Sequence, residues 1–121
     1  ATLGHAAIVG VSVRTPREAQ QATRAGATYV AANGVYESAT KRDCGAPLGT
    51  SGVEALRAAT RLPLLAIGGI NAKNATQVAL AGADGVAVVS AILEAADIAA
   101  ACCALRAKLL AGLSLRPSRY R

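Results

Sequence analysis

Residues 66–70 read Ala-Ile-Gly-Gly-Ile, and residues 88–92 read Val-Val-Ser-Ala-Ile. The two stretches read as neighbouring strands of a (βα) barrel. The first closes in a glycine pair, Gly68-Gly69, that exposes backbone N–H groups. The second closes in a small polar residue, Ser90, where the next helix opens. Loops after the last two strands of such barrels recurrently hold phosphate, because unpaired N–H groups and a helix N-terminus favour an anion. A glycine pair also permits a tight strand-to-loop turn with no ligand at all, and both readings stand at this point.

Four strand-then-helix units follow one another. Ala7 to Ser12 predicts a buried strand, and Thr15-Pro16-Arg17-Glu18 supplies an N-cap, a proline at the first helical position and a capping-box glutamate. That helix runs to Ala25 and stops at Gly26. Thr28 to Ala32 predicts the second strand, followed by a long loop from Asn33 to Thr50. Ser51-Gly52-Val53-Glu54 reads as another capping box, opening a helix that ends near Arg61. Leu64 to Ile67 is the third strand, Asn71 or Asn74 starts a helix that stops at Gly82, and Gly85 to Val89 is the fourth strand. Asp97 caps a last helix whose apolar face carries Ile98, Ala101, Leu105 and Leu109.

The chain also repeats itself. Residues 19–30, AQQATRAGATYV, match residues 75–86, ATQVALAGADGV, in a shared order of helix, glycine stop and buried strand. Consecutive βα units joined by right-handed crossovers give a parallel sheet. The expected fold is therefore α/β: four consecutive βα units with parallel strands, half of a TIM (βα)8 barrel. Residues 1–111 form this half-barrel and residues 112–121 a basic C-terminal tail.

Length agrees with a half rather than a whole. The chain has 121 residues, whereas an eight-fold barrel takes about 200 to 250. It contains no methionine, which suggests a processed N-terminus or a longer polypeptide. Hydrophobic residues make up 53% but aromatics only 2%, so Ala, Val, Leu and Ile must build the core. The scarcity of aromatics argues against a stacking platform for single-stranded nucleic acid. The formal charge of +6 suits either attraction of phosphorylated substrates or plain solubility. Arg106, Lys108, Arg116, Arg119 and Arg121 gather near the C-terminus, as on a solvated helix face and tail. Cys44, Cys102 and Cys103 lack metal-ligand spacing, and the adjacent pair reads as small core or boundary residues. An odd cysteine count without a disulfide framework fits a reducing compartment, and no apolar run reaches membrane-spanning length.

Catalytic loops of (βα) barrels follow the carboxyl ends of the strands. Taken in turn, those ends offer Ser12, the loop from Asn33 to Lys41, Gly68-Gly69, and Ser90. The loop carries Glu37-Ser38-Ala39-Thr40-Lys41, where two hydroxyls and an ammonium can donate to one phosphate group. An ordinary polar loop has the same composition. No acid–base constellation stands out: His5 precedes the first strand, Asp84 lies at the stability end of the barrel as a turn residue, and Asp43 and Glu37 are isolated.

The order Gly10-Val11-Ser12, Ala25-Gly26-Ala27-Thr28-Tyr29-Val30, Val35-Tyr36-Glu37-Ser38-Ala39-Thr40-Lys41, Pro47-Leu48-Gly49 and Ala66-Ile67-Gly68-Gly69-Ile70 resembles the thiamine-phosphate synthase family. Residues 81–92, Ala-Gly-Ala-Asp-Gly-Val-Ala-Val-Val-Ser-Ala-Ile, continue the resemblance, which spans nearly all of 8–110 and matches the C-terminal half of that family's barrel. It implies a transferase that couples hydroxymethylpyrimidine diphosphate to a thiazole phosphate and releases pyrophosphate with Mg2+ assistance. By the same resemblance Ser12 and Lys41 face the pyrophosphate as the catalytic pair. Ser38, Thr40, Gly69, Val89 and Ser90 surround the thiazole phosphate, with Gly68 beside them. The family usually has prolines and threonine where Glu37, Ala39 and Ser38 stand; serine keeps the hydroxyl, while Glu37 sets an acid beside the loop. The family's metal-binding acids and pyrimidine contacts belong to its N-terminal half, so the Mg2+ ligands are expected outside this chain.

Three functions are compatible with these residues. One is the thiazole-phosphate side of a thiamine-phosphate synthase, incomplete alone. A second is a related thiazole tautomerase-like phosphate-binding barrel, and a third is a non-catalytic half-barrel serving as a structural or assembly subunit. Thr40 and Lys41 favour the synthase, because a tautomerase has no pyrophosphate to hold. The expected partners are the two substrates and a missing half-barrel in the same or another chain, or self-association. The expected compartment is the cytoplasm, or an organelle in a eukaryote.

Overall fold

A computed structural model describes residues 4–37 and 45–117. The described elements run β1 (Gly10–Val13), α1 (Pro16–Arg24), β2 (Tyr29–Asn33), α2 (Gly49–Ala59), β3 (Leu64–Ile67), α3 (Ala75–Ala81), β4 (Gly85–Ala87), α4 (Ser90–Leu93) and α5 (Ile98–Ser114). The strands form one sheet in the order β1-β2-β3-β4, and every pairing is parallel.

Side chains alternate across a strand, and burial shows which way. Val13, Val30, Ala32, Leu64 and Ala66 are buried and pack with Ala19, Ala22, Val53, Leu56, Ala75 and Val78 from the helices. Helix α1 packs on α2, α2 on α3, and α3 on α5, so the helices form one continuous layer on a single face. Sequential parallel strands with helices on one face only are the half-barrel arrangement, not a doubly wound sheet. The core is made of small aliphatics, with Leu56 and Leu64 its largest fully buried side chains. Each contributes about 1.5–3 kcal/mol of transfer free energy.

The opposite face carries Ser12, Tyr29, Asn33, Leu65 and Ile67, all exposed or half-buried. Two large side chains there lie over glycines of the edge strands. A Cβ added to Gly10 would fall 2.1 Å from the Tyr29 ring, and one added to Gly85 would fall 2.8 Å from Leu65 Cδ2. These are the register partners Gly10↔Tyr29 and Leu65↔Gly85. The inner strands thus fill the gaps that glycine leaves on the outer ones.

Local signals account for most boundaries. Thr15 caps α1, its side chain accepting from the Glu18 N–H while Glu18 reaches back to the Thr15 N–H, with proline at the helix start. Asp97 caps α5 by accepting from the Ala100 N–H at 3.0 Å. The internal repeat is also physical. Thr28 donates its N–H to Val9 O at 2.7 Å and accepts from the Val9 N–H at 3.0 Å. Its counterpart Asp84 donates to Leu64 O at 2.7 Å and accepts from the Leu64 N–H at 2.9 Å. In both copies a short polar side chain after the glycine stop fastens the start of the neighbouring strand.

Four expectations need correction. Ser51 does not cap α2; the helix begins at Gly49 after Leu48, without a side-chain cap. The Leu48 and Gly49 N–H groups donate instead to Gly34 O and Val35 O at 2.9 and 2.8 Å, which draws the chain into the helix earlier. Strand β1 is not buried from Ala7: Ile8 is 78% exposed, and ladder pairing starts at Gly10 because this is an edge strand. Cys102 and Cys103 are exposed, since α5 is apolar nearly all round and turns Leu105 and Gly112 inward instead. Arg116, expected on a solvated surface, is buried against Asp84 and Gly82. No helix among the described residues is long and apolar enough to cross a membrane.

Candidate active site at the carboxyl ends of the strands

The four strands deliver their carboxyl ends to one edge of the sheet. Ser12 is exposed near the end of β1, Gly68 and Gly69 directly follow β3, and exposed Val89 and Ser90 follow β4, with Ser90 the first residue of α4. Neighbouring strands lie about 4.8 Å apart, so the ends of β3 and β4 can address one small anion, while β1 stands about 10 Å from β3. Ser38, Thr40 and Lys41 lie outside the described residues.

The glycine pair is shaped by the loop after β2. Val35 N–H donates to Ile67 O and Tyr36 N–H to Gly68 O, both at 3.0 Å, which prolongs the β2–β3 pairing past the strand ends. Gly68 and Gly69 hold φ at +112° and +63°, where side chains are strained. Space is equally restrictive: a Cβ on Gly69 would meet Glu37 O at 2.4 Å, and one on Gly68 would meet Gly34 Cα at 3.0 Å. The C=O and N–H of a trans peptide point in opposite directions. Because Gly68 O faces Tyr36, the Gly69 N–H is turned away from the loop. Asn74 fixes the next peptide by donating from Nδ2 to Gly69 O at 3.0 Å, while its Oδ1 accepts from the Asn71 N–H at 2.9 Å. The backbone of the glycine turn is therefore preset from both sides.

The loop is anchored at its base by Arg14, which directly follows β1. Its Nη1 donates to Asn33 O at 2.6 Å and its Nη2 to Ala46 O at 2.5 Å. Its own N–H donates to Glu18 Oε1 at 2.9 Å. That hydrogen bond, against a smaller cost of burial and with help from Thr15 and the Arg14 charge, holds the Glu18 carboxyl below its ordinary range. Burial pushes the Tyr36 phenol up, so it stays neutral beside the glycine turn.

Sequence reasoning found Ser12, Gly68, Gly69, Val89 and Ser90 at these strand ends. It missed Arg14, Tyr36 and Asn74. Arg14 carried one available signal, a long cation placed between a strand end and a capping box. Among the described residues no three His, Cys, Asp or Glu side chains come together as metal ligands. Among the described carboxylates, Glu18 and Asp97 are occupied in helix caps and Asp84 in an ion-pair cluster. The described part of this chain does not fit a Mg2+ site.

Parallel strands in sequence order, one layer of helices and shaped loops at the carboxyl edge define half of a (βα)8 barrel with its candidate site at the usual face. A family model described as thiamine monophosphate synthase matches residues 1–92, and the chain belongs to that family. It is 48% identical over 104 residues to the thiamine-phosphate synthase of Moorella thermoacetica, covering 86% of this chain and 50% of that protein. The thiamine-phosphate synthase of Chloroflexus aurantiacus is 47% identical over 100 residues, covering 83% and 46%. The structure of thiamine phosphate pyrophosphorylase from Pyrococcus furiosus superposes with a TM-score of 0.78 at 36% identity, over 88% of this chain and 50% of that one. The chain spans about half the length of the curated relatives it matches.

Proposed function

We propose that this chain supplies the thiazole-phosphate side of a thiamine-phosphate synthase, a cytoplasmic transferase completed by a second half-barrel. The supporting observation is the glycine turn: Gly68-Gly69, held by Tyr36 and Asn74, stands beside β4, which Val89 and Ser90 follow, in a chain of this family. The Gly69 N–H, the Val89 backbone and the Ser90 hydroxyl receive the thiazole phosphate, joined by Ser38 and Thr40 from the preceding loop. Lys41 and Ser12 serve the pyrophosphate. The spacing from β1 to β3 suits two anionic groups held apart.

The reaction breaks the bond between the pyrimidine's exocyclic carbon and its diphosphate oxygen, and the electron pair leaves with pyrophosphate. The thiazole ring nitrogen then forms the new C–N bond to that carbon. Such chemistry needs a stabilised leaving group and an aligned nucleophile rather than a general base. Lys41 supplies charge and Ser12 a directed donor, while the glycine turn orients the thiazole. Mg2+ would add charge neutralisation at the diphosphate from ligands outside this chain.

The test is product formation by the protein assembled with its second half-barrel. Incubation with hydroxymethylpyrimidine diphosphate, thiazole phosphate and Mg2+ should yield thiamine phosphate and pyrophosphate in equal amounts. A folded, assembled sample that releases neither, and shows no heat of binding with thiazole phosphate, would overturn the reading.

A further inference from the structure

We propose that Arg14 is a positioning residue that sets the stems of the loop after β2 and, through them, the phosphate-binding end of the site. The inference rests on the functional reading above for its kinetic consequence, but not for its geometry. Arg14 contacts two backbone carbonyls from different segments, Asn33 O at the end of β2 and Ala46 O just before the start of α2. A guanidinium presents its donors in a planar fork, and bonds from a charged donor are shorter and stronger than neutral ones. Its charge is directed at the protein's own backbone. It therefore acts through the loop rather than on the reacting atoms.

Position makes this anchor consequential. In sequence, Ser38, Thr40 and Lys41 fall between Asn33 and Ala46, the two residues that Arg14 holds. At its base the loop is also fastened by Leu48 N–H to Gly34 O and Gly49 N–H to Val35 O, at 2.9 and 2.8 Å. Arg14 adds a side-chain tie that connects both stems to β1. Its main chain is held in turn by the Glu18 carboxylate of the α1 capping box. The end of β1, the cap of α1 and the two stems of the loop thus form one connected unit. Lysine places one ammonium where two separated carbonyls need donors, so it cannot replace the fork.

The test uses Arg14→Ala and Arg14→Lys in the assembled protein, with two readouts. Tryptic cleavage after Lys41 or Arg42 reports on the loop directly: Arg14→Ala should be cut about ten-fold faster than wild type at equal global stability, with Arg14→Lys in between. Steady-state kinetics should show a rise of about ten-fold in KM for thiazole phosphate, partly reversed by added guanidinium. Unchanged loop cleavage and unchanged KM in folded Arg14→Ala would overturn the proposal. Should Arg14→Ala fail to fold, Arg14→Lys decides it by the same two measurements. Faster loop cleavage in a protein whose wild type makes no thiamine phosphate would uphold the anchor and place the failure in the functional reading.

Discussion

Arg116 Nη1 donates to Asp84 Oδ1 at 2.9 Å, tying the chain just past the C-cap of α5 to the turn before β4. The other carboxylate oxygen accepts from Arg57 at 2.8 Å and from the Leu64 N–H at 2.9 Å. Gly82 O accepts from Arg116 Nη2 at 3.0 Å, and Arg57 Nη2 donates to Thr60 O and Leu62 O at 2.7 Å each. One carboxylate and two guanidiniums thereby join α2, β3, β4 and the end of α5. The cluster lies at the amino ends of the strands, away from the site, which is where (βα) barrels concentrate stability rather than catalysis.

Asp84→Asn should destabilise the fold, because it leaves the Arg116 charge facing a neutral amide in a buried setting. The Asp84 side chain is 39% exposed, so solvent screening discounts the loss to about 1–3 kcal/mol, measured by urea unfolding. Burial opposes ionisation of Asp84, but the Leu64 N–H and the two arginines outweigh it and hold its carboxyl below the ordinary range. A lowered folded-state pKa gives stability that is present above the unfolded value, about 3.9, and lost as pH falls through the folded one. The stability gap between wild type and Asp84→Asn should be flat from about pH 5 to 8 and narrow below about pH 4.

Gly112→Ala separates packing from helix propensity by sign. Alanine in a helix interior is favoured over glycine by about 1 kcal/mol when nothing touches it. At Gly112, however, the added Cβ would sit 2.6 Å from Ala79 Cβ and 2.7 Å from Thr76 O. The backbones of α3 and α5 meet there, and Thr76 Oγ1 donates to Lys108 O at 2.9 Å. Forcing them apart should cost about 1–3 kcal/mol, so the melting temperature should fall rather than rise.

The same contrast explains what was legible in the sequence. Capping boxes and glycine stops act within a few residues, and Thr15-Pro16-Arg17-Glu18 and the paired Ala-Gly-Ala segments behave as their chemistry dictates. Ser51-Gly52-Val53-Glu54 has the same local form, yet α2 starts at Gly49 because Gly34 and Val35 supply acceptors from a distant loop. Asp84 was legible as a turn residue, but its two arginine partners come from 27 and 32 positions away. On α5, apolar residues surround the helix, so periodicity alone could not tell Leu105 from Cys102. At the site, strand ends were readable because parallel βα units align them. Asn74 was not, since its role lies in a carbonyl that no side-chain pattern records, and Arg14 offered only its place between a strand end and a capping box.

Gly69→Ala, compared with Gly26→Ala, should isolate the contact that shapes the glycine turn. Both glycines hold positive φ, +63° at Gly69 and +89° at Gly26, so both substitutions incur backbone strain of about 1–2 kcal/mol. Only one meets a neighbour. A Cβ on Gly26 has nothing within 4 Å, whereas one on Gly69 would fall 2.4 Å from Glu37 O and 2.8 Å from Tyr36 Cβ. Relief at Gly69 requires the Tyr36–Glu37 segment to move, which breaks the Tyr36 N–H to Gly68 O bond and frees the Gly69 N–H from its fixed direction. In the assembled protein, Gly69→Ala should weaken thiazole phosphate binding by about ten-fold or more, read by calorimetry, while Gly26→Ala loses stability alone. Equal affinity in the two variants would mean that the loop and the glycine turn are not coupled.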